Sequence, residues 1–330
     1  MPSWQYTKEQ NSPTYKSEVF AEEKSDKFDR YLYEIDHIFC NFRSKFQQVL
    51  IANTKNYGKI LMLDHHIQSA EYDERLYHEL LVQPAMLAHP NPKNILILGG
   101  GEGASLRECL VHKSVEKATM VDIDGELINV CKNYLQEWHR GAFDDPRATI
   151  LSLDGRKFIE ETNDKFDIII IDIVDMLDNG PAQKLYTQEF YEMTKNKLNE
   201  RGIVVVQGME FSSRQTNHAI IVRTLSKVFS QVQSYRAVIP SFLSSWGFIL
   251  ASDWLNYDSL TSQELDKRIS ERIPEWLCHL DGDFLKSVFI CSKRDRFLLK
   301  APGPCILDDH PIGEIPNYKE VNNKWQTFPV

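Results

Sequence analysis

The chain has 330 residues, 42% hydrophobic and 26% charged, enough to bury a large core and a smaller one beside it, without the polar bias of disorder. Its formal net charge of −9 argues against a nucleic-acid binder, which needs clustered Lys and Arg, and suits cationic ligands. No run approaches the roughly 18 apolar residues of a membrane span, the first 30 residues lack a secretory apolar core, and the six cysteines form no CxxC pair; a cytoplasmic protein with reduced thiols and no zinc or other metal site is expected.

In chain order, short strand-like runs come first: YLYEI, FQQVLIA, GKILML after an NYG turn, and HIQSA. They suggest a small β domain over residues 1–85. EYDERLYHELLVQPAMLAH follows, with Leu76, Leu80, Leu81 and Met86 at helical spacing, and HPNPKN breaks it. From residue 94 apolar runs alternate with helical stretches: NILIL, ASLRECLVH, KATMVDI, GELINVCKNYL, ATILSL, GRKFIEE, FDIIIIDI, YTQEFYEMTKNKL and GIVVVQG. This alternation predicts an α/β domain over 86–330, with a mostly parallel, doubly wound sheet and its ligand at the strands' carboxyl ends. NHAIIVRTLSKVF reads as a further helix, and VQSYRAVI and WGFILAS as antiparallel strands completing the sheet. TSQE then starts a last helix with Leu265, Ile269 and Ile273 on one face.

A glycine turn, Gly99-Gly100-Gly101-Glu102-Gly103-Ala104, joins the NILIL strand to a helix, and Asp122 ends the next strand about twenty residues on. Glycines admit close backbone approach and a strand-terminal carboxylate accepts from ribose hydroxyls, so a nucleoside ligand is expected. The alternative is that the glycines only pack helix on strand while Asp122 caps GELINVC. Glu102 would repel a pyrophosphate and attract an ammonium, which disfavours a dinucleotide. Asp154, followed by Gly155, could accept from an adenine amino group or could serve as a turn residue; spacing leaves both open.

Asp172 and Asp175 end the apolar FDIIII strand. Two carboxylates at the carboxyl end of a central strand are costly to bury without a cation or donors. A metal or a polycation would satisfy them, and the bland alternative is that both cap the following loop. Upstream, Gln68, Glu71, Asp73, Glu74, Tyr77, His78 and Glu79 concentrate acids and hydrogen-bonding groups on one segment. The tandem His65-His66 reads as turn and strand surface, because adjacent strand residues face opposite ways.

Taken together, LDHHIQSAEYDERLYHE, GGGEGASLREC, MVDID and IDIVDM strongly resemble, in order, the motifs of the spermidine synthase family of polyamine aminopropyltransferases, over about residues 45 to 250. The resemblance implies a small amino-terminal β domain before a Rossmann-like, methyltransferase-type domain, assembled as a homodimer or homotetramer. It implies that Gln47, Gly99, Gly101, Glu102, Gly103, Asp122, Asp154 and Gly155 hold decarboxylated S-adenosylmethionine, a co-substrate, with no tightly bound cofactor. Asp172 would act on the attacking amine, and Gln68, Tyr77, His78, Asp175, Gln207 and Phe242 would line the polyamine channel. The sequence departs from the family where GGGEGA replaces GGGDGG, where Asp64-His65 replaces Asp-Gly, where Met176 replaces proline, and where Phe242 replaces an acceptor tyrosine. Phe242 offers putrescine no hydroxyl, and with DNGPAQKLYTQEFY, LDKRISERI and HLDGDFLKSVF it resembles the thermospermine synthase branch, which extends spermidine. Competing expectations are a putrescine-using spermidine synthase, a non-catalytic polyamine-binding protein and an S-adenosylmethionine methyltransferase, the last disfavoured because its ligand brings a carboxylate into an acidic pocket.

Overall fold

A computed structural model describes residues 19–24, 30–175, 181–211, 217–274 and 277–310. Met176 and the Asp178–Gly180 part of the loop motif lie outside them. The first sheet is an antiparallel meander of five neighbouring strands, β1 (Val19–Lys24), β2 (Arg30–Arg43), β3 (Gln48–Thr54), β4 (Gly58–Leu63) and β5 (His66–Ala70). Strand β1 was not expected from sequence, and β2 is far longer than YLYEI, because nearly all of its side chains are half-buried or exposed and carry no clean apolar alternation. Asp64 and His65 take positive φ angles in the turn before β5. That left-handed turn replaces the Asp-Gly of the family pattern without glycine.

Helix α1 (Glu74–Ala88) links the two sheets, and its Leu80, Leu81, Val82 and Met86 are fully buried. They pack in one cluster with Ile95, Ile168 and Val205 of the second sheet. The division expected at residue 85 therefore falls inside a helix, and the chain leaves the first sheet at Glu71–Asp73.

The second sheet contains β6 (Asn94–Gly99), β7 (Lys117–Asp122), β8 (Ala148–Ser152), β9 (Phe166–Asp172), β10 (Leu198–Glu210), β11 (Gln231–Ile239) and β12 (Ser244–Ser252). Its order is β11-β12-β10-β9-β6-β7-β8. Strands β8, β7, β6, β9 and β10 are parallel, and β12 and β11 extend the sheet antiparallel, as the apolar runs predict. Ile168 to Ile171 are all fully buried, with alternate residues in different clusters, so β9 is covered on both faces. Strand β6 has β9 on one side and β7, its sequence neighbour, on the other. The crevice at this reversal is where a doubly wound sheet receives its ligand.

The carboxyl-terminal segment braces α1. Arg268 and Arg272, on the helix Ser262–Arg272 begun by the Thr261 cap, donate to carbonyls between Met86 and Pro90. Nearer its start, Glu79 accepts from the backbone nitrogens of Cys278 and His279 at 2.7 and 2.9 Å. The carbonyls left without helical partners at the end of α1, and two loop nitrogens, are thus satisfied by tertiary partners. Among the described residues no helix is long and apolar enough to cross a membrane.

Candidate active site

A cleft of about 440 Å³ opens between the first sheet and the carboxyl ends of β6, β7 and β9. Gln47 and Gln68 line it from the amino-terminal side, and Gly99, Gly101, Glu102, Asp122, Asp154, Gly155 and Asp172 from the second sheet. Tyr77, Asp175, Gln207 and Phe242, expected in the channel, line it as well. Asp64, Glu102, Asp122, Asp172, Asp175 and Glu210 all face the cleft, and among the described residues no Lys or Arg lines it. Such a site attracts cations and repels carboxylates.

The glycine turn is built around the end of β9. Gly99 pairs with Asp172 in the parallel ladder, and Gly100 N donates to the Asp172 carbonyl at 2.9 Å. A Cβ on Gly99, whose φ is +83°, would lie 2.1 Å from that carbonyl oxygen, so only glycine lets the loop meet the strand. Helix α2 (Ala104–Leu110) starts at once from Gly103 and places Ser105 behind Asp172. Gly103 itself does not line the cleft. Its φ of +82° closes the turn against Phe143 and His139.

At the ends of β7 and β8, Asp122 accepts from Asp124 N at 2.8 Å, and burial pushes its carboxyl up to about 6. Gln47 Nε2 donates to Asp124 Oδ2 at 3.0 Å, which fixes the amide at the cleft wall. Asp154 caps the helix Gly155–Glu161, with Arg156 N and Lys157 N both donating to Oδ1. The turn reading of Asp154 is therefore realised, and it still lines the cleft.

At the centre, Tyr77 OH donates to Asp172 Oδ1 at 3.2 Å and Ser105 Oγ to Oδ2 at 2.6 Å. Burial raises the Asp172 carboxyl above its ordinary range, with Glu102 adding to the rise, while His78, Ser105 and Tyr77 oppose it. A carboxylate so raised takes a proton more readily than a solvated one. Next to it, Gln207 Nε2 lies 3.1 Å from Asp175 Oδ1, 2.8 Å from the Ile173 carbonyl and 2.7 Å from Tyr186 OH. Burial pushes Asp175 up to about 6, with Glu210 adding to the rise. A bulge in β10 between Gln207 and Glu210, with Met209 at φ +63°, turns both side chains to the cleft.

Phe242 sits in the short turn Pro240–Phe242, edge-on to Tyr77 at 5.6 Å and to Trp246 at 4.7 Å between ring centres. The turn is tied to the start of α1, where Asp73 accepts from Ser241 N at 2.7 Å and Ser241 Oγ at 2.8 Å. Tyr57 OH adds a 3.2 Å bond to the Pro240 carbonyl.

Besides Gly103, one further expected residue is placed differently. His78 does not line the channel; it is 1% exposed and lies behind Glu102, because on α1 it follows Tyr77 by one residue and so points a quarter-turn away. Sequence reasoning also missed Ser105, Trp246, Glu23 and Glu210. Ser105 follows the glycine motif directly, a small hydroxyl at a helix start facing the strand end, and that signal was available. Trp246 donates from Nε1 to Gln207 Oε1 at 3.1 Å, a contact across 39 positions that no local pattern reveals.

Residues 74–259 match the Spermine/spermidine synthase domain and residues 19–71 the Spermidine synthase tetramerisation domain, so the two segments meet where the chain passes between sheets. The polyamine aminopropyltransferase 2 of Pseudomonas aeruginosa is 54% identical over 92% of this chain and 87% of its own. The polyamine aminopropyltransferase of Aeropyrum pernix is 48% identical over 67% of this chain and 71% of its own. A crystal structure of spermidine synthase in complex with the transition-state analogue AdoDATO superposes with a TM-score of 0.79 at 28% identity, covering 85% of this chain and 94% of that one. The chain belongs to the spermine/spermidine synthase family of polyamine aminopropyltransferases.

Proposed function

We propose that the enzyme transfers the aminopropyl group of decarboxylated S-adenosylmethionine to an amine of spermidine, releasing 5′-methylthioadenosine and forming a tetraamine such as thermospermine. The observation that carries this reading is the position of Asp172, where the glycine turn meets the acid-lined half of the cleft. The ribose hydroxyls fall to Asp122, the adenine amino group to Asp154, the nucleoside wall to Gln47, Gly99, Gly101 and Gly155, and the aminopropyl ammonium to Glu102. The acceptor lies along Gln68, Tyr77, Asp175, Gln207 and Phe242. The cytoplasm is the expected compartment, and the amino-terminal sheet is the expected contact in a homodimer or homotetramer.

In the transfer, the acceptor nitrogen lone pair forms a bond to the aminopropyl carbon, and the C–S bond breaks with its electron pair left on sulfur. The sulfonium is thereby neutralised and its positive charge passes to the product nitrogen as a secondary ammonium, the one proton released being that which Asp172 takes from the acceptor ammonium before attack. Only a neutral amine can attack, and deprotonating a lysine-like amine at pH 7 costs roughly 4 to 5 kcal/mol. Asp172, raised by burial and aimed by Tyr77 and Ser105, offsets that cost, while Asp175 keeps the remaining positive charge of the polyamine in register.

The test is to incubate the protein with decarboxylated S-adenosylmethionine and either spermidine or putrescine, and to identify products by chromatography with mass spectrometry. A tetraamine from spermidine supports the reading. Spermidine from putrescine alone would overturn the acceptor assignment and keep the transfer, and no methylthioadenosine from either would overturn the transfer itself.

A further inference from the structure

Both ring nitrogens of the buried His78 face oxygen. Nδ1 lies 2.6 Å from the Glu74 carbonyl and 3.2 Å from Glu74 Oε2, while Nε2 lies 2.9 Å from Glu102 Oε1. A carbonyl oxygen only accepts, so Nδ1 carries hydrogen. Nε2 is buried and makes no aligned hydrogen bond, although Glu102 Oε1 lies 2.9 Å away, so a neutral ring would leave an unsatisfied nitrogen beside a carboxylate. A second ring proton turns that approach into an attractive ion pair.

The surrounding charges favour the ring. Arg107, on α2, reaches Glu74 Oε1 at 3.1 Å and Oε2 at 3.0 Å, and Glu108 Oε1 at 2.9 Å. Tyr77 presents its ring to His78 at 5.0 Å, and Asp172 lies near enough on β9 for the two charges to act on each other. With Glu74, Glu108 and Glu102 ionised and Arg107 and His78 charged, three carboxylates stand against two cations. One negative charge remains, and Glu102 is the member of this cluster that lines the cleft.

We infer that His78 is a constitutive imidazolium and a positioning residue, whose charge holds Glu102 aimed into the cleft to receive the ammonium end of the aminopropyl donor. The inference rests on the reading above that Glu102 meets that ammonium. Flanking by Glu102 and Glu74 outweighs the effect of burial and raises the imidazole to about 10, well clear of neutral pH. Without the imidazolium, Glu102 would stand near Asp122 and Asp172 with no cation paired to it among the described residues, and like charges in one site repel. The same charge also lowers Asp172. His78 therefore acts on the reaction twice without touching a substrate.

Nitrogen-15 NMR of the wild-type protein tests the charge directly, with His78 identified by its proximity to the Tyr77 ring. Two protonated ring nitrogens persisting from pH 6 to pH 9 are expected; a single protonated nitrogen at pH 8 overturns the inference. A second measurement uses His78→Gln, which keeps a donor and removes the charge. Its KM for decarboxylated S-adenosylmethionine is expected to rise about tenfold or more, the weight of one charge-assisted hydrogen bond. Its KM for the amine should stay within about twofold, and the acid limb of its kcat profile should move to higher pH. An unchanged nucleoside KM with an unmoved acid limb overturns the positioning role. Wild-type protein that consumes no decarboxylated S-adenosylmethionine would instead sink the proposed reaction and leave the NMR result standing.

Discussion

Ser105 Oγ donates a 2.6 Å hydrogen bond to Asp172 Oδ2, across 67 positions of sequence. The bond joins the helix that begins at the glycine turn to the proposed base at the end of β9, so the glycine loop and that carboxylate are tied directly together. Ser105 also counts among the groups that lower Asp172 against the upward push of burial. Removing its hydroxyl in Ser105→Ala raises the Asp172 carboxyl further. The acid limb of kcat/KM should therefore shift to higher pH, with activity at pH 7 reduced several-fold. Asp172→Asn removes the base and should lower kcat by about 10²- to 10⁴-fold while nucleoside binding stays near normal. Near-normal turnover of Asp172→Asn would refute the assignment; steady-state kinetics and a nucleoside titration decide it.

The acidic cleft makes ligand binding pH-dependent in a calculable direction. Asp122 and Asp175 both titrate at about 6 in the folded chain, above the ordinary carboxylate value, chiefly through burial. Each is a raised acid, so its ionised form destabilises the fold at pH values above about 6, and that burden is relieved as pH falls through the folded pKa towards the unfolded one. A bound cation relieves the same burden at high pH. Spermidine should thus raise Tm more at pH 8 than at pH 5, and its KM should climb as pH drops below 6. Equal thermal shifts at the two pH values would show that these carboxylates do not hold the amine.

Much of the second sheet is readable from sequence because its strands are buried on both faces. FDIIII and NILIL are continuous apolar runs, and their carboxyl ends announce Asp172 and the glycine turn. The first sheet is harder to read. Strand β1 is VFAEEK, and β2 alternates irregularly between half-buried and exposed positions, so neither carries a period-two signal. The contacts that refine the site are long-range. His78 with Glu102, Ser105 with Asp172, and Trp246 with Gln207 meet only after β6 and β9 lie side by side and β12 folds back on β10. A helix one residue out of phase sufficed to turn His78 from an expected channel wall into a support behind it.

Gly103 offers a test of the loop as architecture. At φ +82° a Cβ would sit 2.6 Å from Phe143 Cζ and 2.8 Å from His139 Cβ. Gly103→Ala meets both a left-handed backbone cost of roughly 1–2 kcal/mol and a clash that the Phe143 ring must relieve by moving. Urea denaturation should show at least that loss, and the nucleoside KM should rise because Glu102 is the adjacent residue. A variant with wild-type stability and nucleoside KM would show that the turn tolerates another conformation.

In the proposed reaction, Phe242 bears on which amine is extended. Its ring is wedged between Tyr77 and Trp246, and its turn is anchored by Asp73 through Ser241 and by Tyr57 through the Pro240 carbonyl. A side chain held from three directions presents its para position at one place in the channel. Phe242→Tyr would put a hydroxyl there with little freedom to turn aside, where a short diamine could use it and a longer triamine would lose apolar contact. The putrescine-to-spermidine ratio of kcat/KM should rise about five- to tenfold, the effect of one added hydrogen bond. Asp73→Ala frees the turn, leaves the ring itself intact, and should move the same ratio while also lowering Tm, since two buried donors of Ser241 lose their acceptor. If neither variant alters the ratio, acceptor choice lies elsewhere along the cleft, with Glu23 and Glu210 the next carboxylates to replace.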